Sequence, residues 1–219
     1  MSKSTAWSYS RWATWKHCAR KYKYKVIDKL PEPQGPAAAR GDMIHKNAEQ
    51  YVKRETPKLL QDLHLFKKEL NDLRARGDAL CELPIAITDN FEGFTEWFDK
   101  DAWLRLKIDV YHWLDDDTLR VIDYKTGKMY PEHKTQMELY GLAGLIGGAS
   151  KVVTEVFYVD HGPKHNKVAI FDEGSYNRLV EQWTGRIEPM FEEKKFKPSP
   201  GPLCGWCAYS KKKGGPCEN

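Results

Sequence analysis

Two aspartates lie in neighbouring apolar segments that a short acidic stretch separates. The first segment is Lys107-Ile108-Asp109-Val110, residues 115–117 are all Asp, and the second segment is Val121-Ile122-Asp123-Tyr124-Lys125. If residues 115–117 form a three-residue turn between antiparallel strands, position 114 pairs with 118 and Asp109 lies directly opposite Asp123. Facing carboxylates destabilise a sheet. A divalent cation between them would offset the repulsion, and oxygen ligands favour Mg²⁺ or Mn²⁺.

Lys125 belongs to the same strand face as Asp123, because side chains alternate along a strand with a period of two. An ammonium beside a metal-bound carboxylate pair can orient an attacking water or stabilise charge that develops on a phosphate. The plainer interpretation is an edge hairpin whose Asp and Lys side chains face solvent. These residues alone leave both interpretations open.

The cysteines suggest a second kind of site. The chain has five of them, and Cys204, Cys207 and Cys217 lie within its last sixteen residues. An odd count argues against a disulfide framework. Three thiolates are one short of a tetrahedral set, which Cys18 or Cys81 would complete. Cys81 opens an apolar segment and is most simply a small packed residue. The spacing does not distinguish zinc from an iron–sulfur cluster.

The motifs resemble those of the RecB-like PD-(D/E)XK nuclease superfamily. Asp109 followed by Asp123-Tyr124-Lys125 matches its D and D-x-K elements, Gly41 to His45 matches its G-x-x-x-H element, and Gln136 to Tyr140 matches its Q-x-x-x-Y element. Each motif alone is weak, but all four occur in the family's order. The matched region spans nearly the whole chain.

The resemblance implies hydrolysis of a phosphodiester. It implies that His45, Asp109, Asp123 and the carbonyl of Tyr124 bind Mg²⁺ or Mn²⁺, and that Lys125 positions or activates the attacking water. Gln136 and Tyr140 lie on one helix face by their i, i+4 spacing and would reach the metal site or the DNA. Glu82 begins the preceding strand. One interpretation makes it another acidic group near the metal, and the other makes it a strand-edge glutamate; the second is preferred, so Glu82 is left outside this set.

The segment around Cys18 resembles the N-terminal cysteine motif of iron–sulfur RecB-like nucleases, which include CRISPR-associated and viral exonucleases. This resemblance implies a [4Fe–4S] cluster held by Cys18, Cys204, Cys207 and Cys217. Zinc is the alternative. The nine residues between Cys207 and Cys217 make a longer gap than the family usually has.

The function that the resemblance implies is a stand-alone DNA exonuclease that prefers single strands or free ends. Residues 1–30 contain eight Lys or Arg and one acidic residue, interleaved with aromatic residues, which suits a polyanion. The alternatives are a structure-specific endonuclease, a CRISPR spacer-processing factor, or a non-catalytic metal-stapled DNA-binding protein. Partners from recombination or CRISPR adaptation are possible. No P-loop motif is present, so ATP-driven unwinding would require a partner.

The order of elements predicts an α/β (α+β) fold, with a restriction-endonuclease-like mixed sheet flanked by helices. Helices are predicted at about 8–28, 38–55, 61–76, 132–146 and 174–191, and strands at 80–88, 104–113, 119–125, 151–160 and 167–171. We expect one nuclease domain over residues 1–219, with 1–36 and 195–219 forming a cysteine-cluster subdomain. No apolar run spans a bilayer and no signal peptide is recognisable, so a soluble, cytoplasmic protein is expected, in a bacterial, archaeal or virus-infected cell.

Overall fold

The computed structural model describes residues 6–219. The first five residues, on which much of the signal-peptide prediction rests, lie outside this range. Within it, no helix is long and apolar enough to cross a membrane. The chain forms two compact units. We call residues 36–181 the sheet unit, and residues 1–35 together with 182–219 the terminal unit. The prediction of one domain with a cysteine subdomain stays a prediction.

The sheet unit is built on six strands in the order β2-β1-β3-β4-β5-β6. Neighbouring strands are antiparallel except for β4 and β5, which are parallel. The predicted mixed sheet with flanking helices is confirmed, although the short strand β2 was not predicted. The strands are β1 (Leu80–Ile87), β2 (Phe94–Thr95), β3 (Leu104–Trp113), β4 (Thr118–Lys125), β5 (Lys151–Tyr158) and β6 (Lys167–Asp172).

Except at residues 8–28, the helices occupy the positions that the periodicity predicted, within a few residues at each end. The predicted helix at residues 61–76 begins as a 3₁₀ helix, Gln61–Phe66, before it becomes α-helical. Parallel strands need a crossover, and the helix between β4 and β5 provides it. The helices in chain order are α1 (Tyr9–His17), α2 (Ala19–Tyr22), α3 (Pro36–Val52), α4 (Lys67–Arg76), α5 (His133–Ile146) and α6 (Tyr176–Glu192).

Helix α3 is anchored by an apolar stripe. Ile44, Ala48 and Val52 recur every four residues and are buried in one hydrophobic cluster. The same cluster contains Tyr124 of β4. Spacing of this kind presents one helix face to the core. Because Ile44 is fully buried there, its neighbour His45 is fixed at the margin of the cluster.

Helix α5 lies unusually close to the sheet because two of its residues have no side chain. A Cβ atom added at Gly141 would come within 2.3 Å of the Phe171 ring, and one at Gly144 would come within 2.6 Å of Val152. Contacts under 3.0 Å cannot be accommodated without a shift of the helix. The two glycines therefore set the distance at which Gln136 and Tyr140 approach β4.

The N-terminal helix is interrupted at Cys18. A single helix from Ser8 to about Asp28 was predicted, and this prediction is wrong, although Ser8 does cap the N-terminus of α1. Cys18 has an extended backbone with φ −161°, and its sulfur accepts a hydrogen bond from the Lys21 N–H at 3.4 Å. The thiol thus caps α2 and offsets the backbone bonds lost at the break. Apolar periodicity does not report a break of one residue.

Three tryptophans form the core of the terminal unit. The ring of Trp183 lies 5.6 Å from that of Trp7 and 5.1 Å from that of Trp12. All three rings are buried, and Trp12 Nε1 donates to the carbonyl of Arg186 at 3.0 Å. Tilted and edge-to-face pairs at these distances are favourable. Aromatic packing therefore anchors helix α1 in the terminal unit.

Candidate active site

The two aspartates face each other as the sequence predicted. Strands β3 and β4 pair in a register that joins Trp113 to Leu119 and Val110 to Ile122, and its continuation places Asp109 opposite Asp123. At this point a side chain takes the place of a backbone acceptor in the ladder, because the Tyr124 N–H donates to Asp109 Oδ2 at 2.7 Å. Asp109 and Asp123 are both buried. Two carboxylates thus share an interior position where solvent screens them weakly.

His45 and Glu82 extend the carboxylate pair on one side. His45 Nδ1 lies 3.3 Å from Asp109 Oδ1 and 3.8 Å from Glu82 Oε1. Ligand atoms of these three residues lie within 4.8 Å of one another, which makes them a candidate metal-binding group. Glu82 Oε2 also forms an ion pair with Lys107. Helix α3 and strands β1 and β3 each contribute one member of the group.

Glu82 is the residue that the sequence analysis left out. It has φ +55° inside strand β1, which is rare for a residue with a side chain. The β1–β3 register joins Cys81 to Val110 and Leu83 to Ile108, so Glu82 faces Asp109. That register is a property of strands that are distant in sequence. A single glutamate in an apolar segment gave no comparable signal.

Asp123 is held by groups on its own strand and on α5. Its Oδ1 accepts hydrogen bonds from Lys125 Nζ at 3.0 Å and from the Tyr140 hydroxyl at 2.9 Å. Gln136 Nε2 donates to that hydroxyl at 2.6 Å. The predicted common face of Asp123 and Lys125 is confirmed. The structure thereby connects Gln136, Tyr140, Asp123 and Lys125 in one chain of contacts.

Burial and like charge act together on Asp109. Burial is the largest cause that raises the pKa of this carboxyl, and the charge of Asp123 raises it further, against His45 and the Tyr124 N–H. Burial tends to lower the pKa of His45, but the hydrogen bond to Asp109 and the nearby carboxylates outweigh it, so that the pKa is raised. Neighbouring carboxylates thus contribute to both shifts, and burial adds to the shift of Asp109. Such sites are common at functional centres.

The donor set fits a divalent cation. One imidazole and two carboxylates converge here, from His45, Glu82 and Asp109, and oxygen-rich sets of this kind suit Mg²⁺ or Mn²⁺. Among the described residues, the predicted ligand Asp123 is not a member of this close group and instead contacts Lys125 and Tyr140. Asp123 Oδ2 is buried and lies 2.7 Å from Lys125 Nζ without the geometry of a hydrogen bond, so its lone pairs are not fully used. The Tyr124 carbonyl belongs to the residue whose N–H binds Asp109. Its role as a ligand stays a prediction.

The four cysteines assigned to a cluster line a single cavity of about 30 Å³ in the terminal unit. Backbone N–H groups donate to two of the sulfurs, from Lys21 to Cys18 and from Gly201 to Cys204, both at 3.4 Å. Ser210 also lines the cavity, and its buried hydroxyl has no hydrogen-bond partner among residues 6–219. Sulfur ligands, N–H donors and an unused hydroxyl fit a thiolate-bound metal group.

Cys81 is separate from these cysteines. It is buried in the hydrophobic cluster of the sheet unit, so the prediction of a small packed residue is confirmed. Burial raises the pKa of its thiol to about 11, mainly by desolvation. A thiol that stays protonated is a poor nucleophile and a poor metal ligand.

Comparison with known proteins agrees with the motifs. The family model of the PD-(D/E)XK nuclease superfamily matches residues 6–211. No curated protein matches the chain. Among solved structures, one described as "Crystal structure of SSO0001" aligns with 95% of this chain and 85% of its own, at 14% identity and a TM-score of 0.49. The match of the family model over almost the whole length shows that the chain belongs to the PD-(D/E)XK nuclease superfamily.

Proposed function

We propose that the chain is an exonuclease that degrades single-stranded DNA with Mg²⁺ or Mn²⁺. The observation that carries this proposal is the buried pair of Asp109 and Asp123, with His45 and Glu82 on one side and Lys125 on the other. Membership of a nuclease superfamily implies a nucleic-acid substrate. The divalent metal implied by the family would polarise the phosphate and lower the pKa of a bound water.

His45, Glu82, Asp109 and Asp123 would hold the metal, with the Tyr124 carbonyl as a further ligand. Lys125 keeps its ammonium beside Asp123, where it can orient the attacking water and stabilise charge on the phosphate. Tyr140 holds Asp123 in one orientation, and Gln136 holds Tyr140. These two are proposed as positioning residues. A carboxylate that cannot rotate presents its remaining lone pairs in a fixed direction.

The preference for single strands rests on the terminal unit. Along residues 9–27, Lys16 and Lys25 are exposed and the side chains of Trp15 and Tyr22 are partly exposed, so cationic and aromatic surface alternate there. Grooves that combine cations with aromatic rings bind single strands without sequence preference. This arrangement supports a single-stranded substrate over a duplex that is recognised by its shape.

We further propose that Cys18, Cys204, Cys207 and Cys217 bind a [4Fe–4S] cluster. All four cysteines line one cavity, and the segment around Cys18 resembles the N-terminal cysteine motif of iron–sulfur RecB-like nucleases. This resemblance favours the cluster over zinc, which the same four thiolates could also bind. The test of the cluster is to measure the thiolate-to-iron charge-transfer absorbance of anaerobically purified protein together with its iron and zinc content.

The test of the function uses anaerobically purified protein and two substrates, end-labelled linear and circular single-stranded DNA, with Mn²⁺, Mg²⁺ or EDTA. We expect loss of linear DNA only, and none in EDTA. Lys125→Ala should reduce cleavage by about 10²-fold or more. Lys151→Ala is the matched control, because Lys151 is exposed at the opposite end of the β4–β5 pair.

Cleavage of circles would identify an endonuclease instead. Absence of metal-dependent cleavage from folded protein with its cluster bound would leave a non-catalytic DNA-binding protein as the alternative. Equal activity of Lys125→Ala and Lys151→Ala would reject the site.

A further inference from the structure

A row of five aromatic and imidazole rings runs along the sheet unit. We call it the ring row. Adjacent ring centres lie 5.7, 5.5, 6.4 and 5.9 Å apart. His133 Nδ1 and the Tyr158 hydroxyl are also 3.0 Å apart, within hydrogen-bond distance. The row consists, in spatial order, of Tyr130, His133, Tyr158, His161 and His165.

The middle of the ring row lies beside the proposed catalytic lysine. In the parallel pairing of β4 and β5, Tyr158 is the partner of Lys125. The loop that follows Lys125 is fixed to the same place, because His161 Nε2 lies 2.8 Å from the Gly127 carbonyl and Asp160 accepts the Gly127 N–H at 2.6 Å. Asp160 is in turn held by Arg40. The row therefore keeps a fixed position relative to Lys125.

The middle of the row is rigid and its ends are accessible. Tyr158 is buried and His133 is half-buried, whereas Tyr130 is 53% exposed and both His161 and His165 are exposed. An exposed tyrosine costs free energy in water that a packed partner would recover. Tyr130 contacts His133 in an edge-to-face arrangement, so one of its faces is supported by the row.

Cations accompany the rings. Residues 126–134 and 160–167 contain Lys128, Lys134, Lys164 and Lys167, all exposed, and two acids, Glu132 and Asp160. Arg40 neutralises Asp160. A surface that offers several lysines between exposed rings is suited to a polyanion that also carries flat apolar groups. Unpaired nucleotides have both properties, whereas the bases of a duplex are already stacked.

We propose that the ring row binds the single strand on which the active site acts, with bases against Tyr130, His161 and His165 and phosphates against the adjacent lysines. This rests on the proposed function, since it supplies the substrate of that site. It adds a binding surface that the conserved motifs of the superfamily do not include. The strand would pass Lys125 with at least one unpaired base held on the ring row.

Binding can be measured without cleavage. The probe is a fluorescein-labelled oligothymidylate in EDTA, followed by anisotropy. Tyr130→Ala should weaken binding by about tenfold, in line with the loss of one base–aromatic contact. Tyr130→Phe should bind like the unaltered protein, because it keeps the ring. Phe98→Ala is the matched control, since Phe98 is 87% exposed in another loop of the sheet unit, and should also bind normally.

A second substrate separates base contacts from phosphate contacts. An oligonucleotide of the same length with abasic residues keeps every phosphate and lacks the bases. The unaltered protein should bind the abasic oligonucleotide more weakly than oligothymidylate. Tyr130→Ala should reduce the ratio of the two dissociation constants by about tenfold. Lys164→Ala should weaken binding of both oligonucleotides to the same extent and lower the salt dependence.

The outcomes distinguish this proposal from the function it rests on. Suppose that Tyr130→Ala weakens binding as expected but neither the unaltered protein nor its variants cleave DNA with Mn²⁺. The proposal for the ring row then holds, and the proposal of an exonuclease is wrong. If cleavage is normal while Tyr130→Ala changes neither the Kd nor kcat/KM, the ring row is rejected. Equal losses in Tyr130→Ala and Phe98→Ala, or equally tight binding of a blunt duplex, would also reject it. Tyr130 is exposed, so melting curves should show that its variants are folded.

Discussion

The two proposed metal sites are built in opposite ways. In the sheet unit, the proposed ligands are carried by α3, β1, β3 and β4, and the ligand atoms from the first three elements lie within 4.8 Å of one another. In the terminal unit, the cysteines lie outside regular helices and strands. Cys18 separates α1 from α2, and Cys204 lies in a 3₁₀ turn. The first site is assembled by the sheet and the second by turns.

This difference predicts which site depends on its metal for structure. The turns that hold the cysteines are short. One of them is closed by a hydrogen bond from the Cys207 N–H to the Cys204 carbonyl. The Cys217 N–H donates to the Tyr209 carbonyl. Such segments contribute little folding free energy of their own, and metal ligation would supply the rest. The carboxylate site should keep its structure without a metal, because its backbone is held by the sheet.

The largest expected effect is on catalysis. Asp123→Asn keeps the shape of the side chain but removes the charge that faces Lys125 and the metal. We expect cleavage to fall by about 10³-fold, the upper range for loss of one electrostatic contact in an active site. Single-turnover cleavage with saturating Mn²⁺ measures it. Activity within tenfold of the unaltered protein would mean that Asp123 is not part of the site.

Loss of the cysteine cluster should act on stability instead. In the double variant Cys204→Ser/Cys207→Ser, we expect iron to be absent and the melting temperature to fall by about 5 °C or more. Limited proteolysis should cut within residues 182–219 while residues 36–181 stay intact. Cys81→Ala is the control, because that thiol lies in the sheet unit, and it should retain iron. Unchanged iron content in the double variant would refute the assignment.

Removing Glu82 should weaken metal binding without destroying the site. Glu82→Gln keeps the size of the side chain and loses one carboxylate beside His45 and Asp109. Mn²⁺ affinity should fall by about 10- to 100-fold, as for other groups that support a metal site. Calorimetric titration measures it. The control is Glu173→Gln, at an exposed glutamate in the turn after β6. Equal affinities in the two variants would restore the interpretation of Glu82 as a structural residue.

The smallest effects should come from the positioning residues. Tyr140→Phe removes one hydrogen bond to Asp123, which corresponds to about a tenfold loss of cleavage for a bond to a charged group. Gln136→Ala acts one step further away and should cost about threefold. Both should lower kcat more than they raise KM, which steady-state kinetics would show. A larger loss in Gln136→Ala than in Tyr140→Phe would contradict the order of contacts.

The sequence predicted the parts of this molecule that depend on local patterns. The hairpin between β3 and β4 is one example, because a three-residue turn determines which residues face each other along both strands. Asp109, Asp123 and Lys125 were therefore placed correctly relative to one another. The helices α3 and α5 followed from apolar periodicity, whereas the close packing at Gly141 and Gly144 appeared only in the structure.

Features that depend on distant strands or on single backbone angles were not predictable. The partnership of Glu82 with Asp109 needs the β1–β3 register, and it needs a φ of +55° at Glu82 that no propensity favours. The break at Cys18 is a similar case, since it is stabilised by a sulfur that accepts one N–H. The ring row joins residues from two separate segments, 130–133 and 158–165, and only the fold brings them together.

The charge of the carboxylate site offers the most direct test of the account. We would measure the melting temperatures of the unaltered protein and of Asp109→Asn, each in EDTA and in excess Mn²⁺. In EDTA the buried carboxylates repel each other, so Asp109→Asn should melt about 2–4 °C higher. Mn²⁺ should raise the melting temperature of the unaltered protein by several degrees and leave that of Asp109→Asn nearly unchanged. If Mn²⁺ has no effect on the unaltered protein, or stabilises both proteins equally, the carboxylate pair does not bind the cation and the proposed active site is wrong.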